Sequence, residues 1–128
     1  MANPRLALVV DDDETLRLVA KRHLSKLGFV VHYAGTGKEA VSACKNVDFE
    51  LILMDLQMPE MDGFEATAEI RSMEVTQPRP KAIIIAMTAS QDRERALSSG
   101  MNDYLFKPFM YDTVQRTILK WFPGAQAV

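Results

Sequence analysis

Six polar residues stand directly behind short, largely apolar segments. Asp11, Asp12 and Asp13 follow the run from Leu6 to Val10, and Asp55 follows Leu51 to Met54. Thr88 follows Ala82 to Met87, and Lys107, with Pro108 behind it, follows Asp103 to Phe106. If the first and third runs are neighbouring parallel strands, their ends lie about 5 Å apart. Three or more carboxylates that close repel one another unless a cation joins them. Hard oxygen donors in that number suit Mg2+, which keeps several waters and takes one or two carboxylates. A lysine and a hydroxyl beside such an ion make a set that binds a phosphoryl group, with charge for its oxygens and a hydrogen bond from Thr88. A carboxylate can also be the nucleophile and form an aspartyl phosphate.

Each of these residues alone has an ordinary explanation. An aspartate after a strand is commonly a turn former or an N-cap, and Asp13 stands where the first helix should begin. Thr88 alone would open a helix, and Lys107 alone would be a surface lysine. Their joint placement behind successive segments is what favours a site. Other reactive side chains read as structural. His23 sits in the charged stretch Lys21-Arg22-His23 and reads as solvated, and His32 alternates outward on a strand. Neither reads as a catalytic histidine. Cys44 lies on an apolar helix stripe as a small buried side chain, and Met54, Met58, Met61, Met87, Met101 and Met110 read as core filler or loop contacts.

The elements that must position the six residues alternate. Runs that are apolar on both faces suit central parallel strands. Leu16, Val19, Ala20, Leu24 and Leu27 recur at helical spacing, with Gly28 closing the helix. Phe29 to Ala34 reads as the second strand. Thr36 and Glu39 read as a capping box for a helix containing Ala40, Val41 and Cys44. A third helix starts near Gly63 and carries Phe64, Ala68 and Arg71. Gln77-Pro78-Arg79-Pro80 must be loop. Ser90 caps a fourth helix with Ala96 and Leu97 that stops at Gly100, and Tyr111, Val114, Ile118 and Trp121 form one stripe of the fifth. The tail after Trp121 reads as frayed. A five-fold strand–helix alternation predicts a doubly wound parallel sheet with helices on both faces and a site at the carboxyl ends of its strands.

Composition narrows the class. A chain of 128 residues, 48% hydrophobic and 25% charged, is one globular domain with a core that needs no disulfide or metal staple. A net charge of −2 gives no broad positive field for nucleic acid or an anionic membrane. The longest apolar runs are too short to cross a bilayer, so no membrane insertion is expected. One cysteine permits no internal disulfide, which fits a reducing, cytoplasmic setting.

Taken with their order, these motifs resemble the receiver domains of two-component response regulators, from about residue 6 to 122. The matching residues are the acidic pair Asp11-Asp12, the segment from Asp55 to Gly63, Thr88, and Lys107-Pro108. The resemblance implies a flavodoxin-like fold with five helices and strand order 2-1-3-4-5. It implies a phosphoacceptor, Asp55, that takes its phosphoryl group from a phosphohistidine on a histidine kinase or histidine phosphotransfer domain. Asp12, Asp55 and the backbone carbonyl of Gln57 would hold Mg2+, with Asp11 helping through water. Thr88 and Lys107 would bind the phosphoryl group, Tyr104 would be the switch aromatic, and the Lys107-Pro108 peptide would be cis. Gln57 and Ser90 would tune the lifetime of the acyl phosphate. Such a domain is a signalling switch rather than an enzyme, although it takes part in its own phosphorylation and dephosphorylation. A covalently attached kinase or output domain outside this chain would fit the same resemblance.

One rival is an enzyme. Asp11-Asp12-Asp13-Glu14-Thr15 also fits the first motif of haloacid-dehalogenase-type Mg2+ phosphatases, with Asp11 as nucleophile and Asp13 as acid/base. That class also needs a late acidic pair after an apolar strand. The fourth and fifth strands here end in Thr88 and Lys107 instead.

Overall fold

The computed structural model describes residues 5–89 and 92–125. Five strands, β1 (Arg5–Val10), β2 (Phe29–Ala34), β3 (Leu51–Asp55), β4 (Ile83–Thr88) and β5 (Asp103–Phe106), alternate with five helices. These are α1 (Glu14–Lys26), α2 (Gly37–Asn46), α3 (Gly63–Thr76), α4 (Arg93–Ser98) and α5 (Tyr111–Trp121). The strands form one sheet in the order β2-β1-β3-β4-β5, and every neighbouring pair is parallel.

Strand alternation splits the core into two layers. Leu8 and Val10 of β1, Ile52 and Met54 of β3, and Ile84 and Ala86 of β4 face α2, α3 and α4 through Ala40, Val41, Cys44, Ala66, Ile70 and Ala96. Their neighbours Ala7, Val9, Leu51, Leu53, Ile85 and Met87 face α1 and α5 through Ala20, Leu24, Val114 and Ile118. Both faces of the three central strands are therefore dry, which is why their sequences are unbroken apolar runs. Because β1 pairs with β2 on one side and β3 on the other, the chain switches direction there, and a crevice opens beyond the carboxyl ends of β1 and β3.

Local details refine the expected elements. Helices α1 and α4 do stop just ahead of Gly28 and Gly100, whose φ values of 90° and 100° L side chains rarely adopt. The Thr36–Glu39 box is only half formed. The Thr36 hydroxyl accepts the Glu39 N–H at 3.1 Å, but the Glu39 carboxylate reaches back to the N–H of Gly35 instead. The complete box caps α3, where Asp62 and Glu65 exchange side-chain bonds with each other's backbone. The buried stripe of α3 is Gly63, Ala66, Thr67, Ile70 and Glu74, so Ala68 lies on its exposed side. The tail after Trp121 is packed, not frayed, as far as Ala125: Phe122 meets the Phe29 ring edge-on at 5.4 Å, and Ala125 is buried. The cap expected at Ser90 lies outside the described residues.

Candidate functional site

The crevice is built from the ends of β1, β3, β4 and β5. It is a pocket of about 220 Å³ lined by Asp11, Asp12, Asp13, Asp55, Leu56, Gln57, Thr88, Ala89 and Lys107. Asp11 is fully buried, Asp55 and Thr88 are nearly so, and Asp12 is exposed. One carboxylate oxygen from each of Asp11, Asp12 and Asp55 lies within 4.8 Å of the other two. That donor set fits a small hard cation such as Mg2+: all oxygen, three formal charges, and an exposed member through which water has access.

A lysine answers part of this charge. Lys107 Nζ donates to Asp11 Oδ2 at 2.9 Å and to Asp55 Oδ1 at 3.1 Å. Burial alone would lower the Lys107 pKa, but hydrogen bonds and charge from the two aspartates outweigh it, and the ammonium is held above its usual range. Asp55 moves the other way from a salt-bridged surface carboxylate. Burial and then the Asp11 charge push its pKa up, against Lys107 and the Gln57 N–H, which pull it down. One lysine therefore does not satisfy the site electrostatically.

The backbone is fixed around these groups. Asp11 Oδ1 accepts the Asp13 N–H at 2.8 Å, and Arg17 donates to the Asp11 carbonyl at 2.7 Å. The Lys107 N–H bonds the Thr88 carbonyl at 2.8 Å, which ties the ends of β5 and β4, and the Lys107-Pro108 peptide is cis. Gly63 is the close-approach glycine: a Cβ there would lie 2.3 Å from the Asp55 carbonyl oxygen. Any side chain would push α3 away from the end of β3. Gln57 is exposed on the same loop, with its N–H 3.3 Å from Asp55 Oδ1.

The structure thus brings together Asp11, Asp12, Asp55, Gln57, Thr88 and Lys107. Tyr104 is not in the crevice: its half-buried ring lies beside Phe106, centroids 5.0 Å apart, with Arg93 over it. Asp13 also has another job. Its Oδ1 accepts the N–H groups of Thr15 and Leu16, so it caps α1 at the rim of the crevice. Asp11 has both oxygens engaged, by the Asp13 N–H and by Lys107, and β4 ends in Thr88 and β5 runs into Lys107 rather than into the acidic pair that the phosphatase arrangement needs. His23 corrects the expectation of a solvated residue. It is half-buried, with Nδ1 unpaired and its ring against Phe109 and Tyr111. Sequence reasoning also missed Arg17, whose only signal is a position one helical turn beyond Asp13.

Comparison with known proteins settles the family. The family model for the response regulator receiver domain matches residues 7–119. The chain belongs to the response regulator receiver domain family. The hybrid signal transduction protein dokA of Dictyostelium discoideum is 36% identical over 94% of this chain, which spans 7% of that protein's length. The receiver domain of the sensor histidine kinase PA1611 from Pseudomonas aeruginosa, solved with magnesium in its active-site cleft, superposes with a TM-score of 0.82 and 36% identity, covering 95% of this chain and all of that one. The co-crystal structure of the Saccharomyces cerevisiae phosphotransfer protein Ypd1 with the receiver of Ssk1 gives 0.85 and 33%, covering 94% and 91%. This receiver is a signalling module, and no helix among the described residues is long and apolar enough to cross a membrane.

Proposed function

We propose that this receiver, residues 1–128 with its core from about 6 to 122, accepts a phosphoryl group on Asp55 from a phosphohistidine of a histidine kinase or phosphotransfer domain. The observation that carries the reading is the state of Asp55 itself. It is buried beside two other carboxylates, Lys107 and the Gln57 N–H both engage Oδ1, and among the described residues nothing engages Oδ2. A desolvated carboxylate with one oxygen steadied and one uncommitted is suited to nucleophilic attack. The magnesium-bound and phosphotransfer-bound receivers that this chain resembles support the same reading.

In the transfer, an Asp55 oxygen forms a bond to phosphorus as the bond from phosphorus to the donor imidazole nitrogen breaks. The imidazole keeps that electron pair and takes a proton from solvent. Asp12, Asp55 and the Gln57 backbone carbonyl would hold Mg2+, with Asp11 bound through water. When bound, the ion supplies charge to the phosphoryl oxygens. Lys107 leaves Asp55 Oδ1 for a phosphoryl oxygen, and the Thr88 hydroxyl donates to another. As Thr88 moves, Tyr104 turns inward, which shifts the population of the output face. The same pocket admits the water that later hydrolyses the acyl phosphate, so the domain contributes to its own phosphorylation and dephosphorylation. Gln57 and Ser90 stand at positions that tune the lifetime of the acyl phosphate in the family. The reading places the domain in the cytoplasm, as one module of a phosphorelay.

The test uses Mg2+ and acetyl phosphate with intact-mass detection. One phosphoryl group should add to the parent, none to Asp55→Asn, and a reduced fraction to Asp11→Asn. Full labelling of Asp55→Asn would overturn the assignment.

A further inference from the structure

Helix α4 is the least anchored helix among those described. It has six residues and buries only Ala96, whereas α3 buries five and α2 four. A helix that short has little stability of its own and depends on what its side chains touch. Two of its arginines lie over rings of different elements. The Arg95 guanidinium is 3.8 Å from the centre of the Phe64 ring on α3, and that of Arg93 is 5.0 Å from the Tyr104 ring on β5. Both distances are within cation–π reach.

Both rings are tied to the crevice. Phe64 follows Gly63, whose N–H bonds the Leu56 carbonyl and whose Cα packs on the Asp55 carbonyl. Tyr104 stands on β5, three residues before Lys107. Helix α4 therefore bridges the loop after β3 and the strand that carries the lysine.

We propose that Arg93 and Arg95 are positioning residues that pin α4 in its resting place, so that the switch must break or reshape both contacts. This rests on the reading of Asp55, Thr88 and Tyr104 given above. When Tyr104 turns inward its ring leaves Arg93. When the chain behind Thr88 is drawn toward the phosphoryl group, α4 shifts against Phe64, which stays with α3. A contact made in the resting state and lost in the active one lowers the apparent affinity for whatever stabilises the active state. Removing it raises that affinity by the same factor. For an exposed cation–π contact the factor is about two- to fivefold.

The test compares the parent with Arg93→Ala, Arg95→Ala, Arg95→Lys and the double alanine variant. Amide hydrogen exchange of residues 93–98 is read in the resting protein, and beryllofluoride affinity in Mg2+ is read by amide NMR. Each alanine should speed exchange in α4 and tighten mimic binding about two- to fivefold, the double should approach the product, and Arg95→Lys should fall between. Two trivial explanations have the opposite sign. Alanine is a better helix former than arginine, so propensity alone would slow exchange. Loss of a cation near an anion site would by itself weaken binding. If the parent binds the mimic while the variants match it in both exchange and affinity, the proposal is overturned alone. If the parent shows no response to the mimic, the reading of the site falls and the proposal falls with it.

Discussion

The two ends of the sheet handle charge in opposite ways. At the amino ends of β4 and β5, Arg71 uses all three guanidinium nitrogens: Nε to the Gly100 carbonyl, one terminal nitrogen to Glu74 and the Ala82 carbonyl, and the other to Asn102. Glu74 in turn accepts the Ala82 N–H, and Asn102 accepts the Ile84 N–H, both at 2.8 Å. One cation meets one anion there, and the neighbouring carbonyls and amides complete the set. At the carboxyl ends, three carboxylates converge, and Lys107 bridges only two of them. A closed network holds elements together, whereas an unbalanced one has affinity left for a ligand. The contrast separates an end whose charges are matched from an end that holds an excess of carboxylate.

Breaking the closed end should have the largest effect. Arg71→Ala leaves the buried Glu74 carboxylate without its cation, which should cost about 3 kcal/mol and lower Tm by on the order of 10 °C. Labelling by acetyl phosphate well below the new Tm should be unchanged. A thermal melt together with the mass assay reads both, and a variant that melts like the parent would remove the network from the fold's support.

The open end should fail without unfolding. Thr88→Ala leaves Asp55, Asp12 and Lys107 in place, so phosphorylation should persist. It removes one charge-assisted hydrogen bond, worth about 1.5–3 kcal/mol of the switching energy. The mimic-induced amide shifts from Asp92 to Phe106 should therefore shrink to a fraction of the parent's, and shifts of parental size would show that the hydroxyl does not drive the switch.

Asp12→Ala sharpens the contrast further. Without metal it should raise stability slightly, on the order of 0.5 kcal/mol, because like-charge repulsion is relieved. Added Mg2+ should then raise Tm much less than in the parent. Equal Mg2+-induced stabilisation in the two proteins would place Asp12 outside the metal's ligands.

The smallest effect concerns His23, whose ring packs on Phe109 and Tyr111. Burial, then the Lys26 charge, lowers its pKa below the usual 6.5, so between pH 6.5 and the folded value the unfolded chain binds more protons. Stability should fall as pH drops through that window. His23→Gln should remove a pH-dependent part of the stability below pH 6.5 worth a few tenths of a kcal/mol at most, seen as a flatter curve of Tm against pH than the parent's. Parallel curves would show that His23 titrates alike in both states.

The same contrast explains what the sequence made legible. Asp11, Asp12, Asp55, Thr88 and Lys107 stand where strand segments stop, so their convergence follows once the strands are taken as parallel neighbours. The Arg71 network gives no such sign. Arg71 and Glu74 look like an ordinary pair three apart on a helix surface, and Asn102 like a loop asparagine. Their meeting spans 31 residues between Arg71 and Asn102 and depends on how α3 packs beside the loop before β5. His23 was misread for a related reason. Its charged neighbours on α1 suggested water, but the rings of Phe109 and Tyr111 come from a distant part of the chain. Helical periodicity likewise established α3 without its buried face, because a polar pair, Thr67 and Glu74, shares that face with Ala66 and Ile70.

In the proposed transfer one carboxylate among the clustered aspartates, that of Asp55, carries the phosphoryl group. An acyl phosphate is reduced by borohydride to an alcohol, which converts the phosphorylated aspartate to homoserine and leaves free carboxylates untouched. The parent should be treated with Mg2+ and acetyl phosphate, reduced, digested and sequenced by mass spectrometry. Homoserine at position 55, with Asp11, Asp12 and Asp13 unchanged, is the predicted result. Homoserine at position 11, 12 or 13, or at none of the four, would contradict the account.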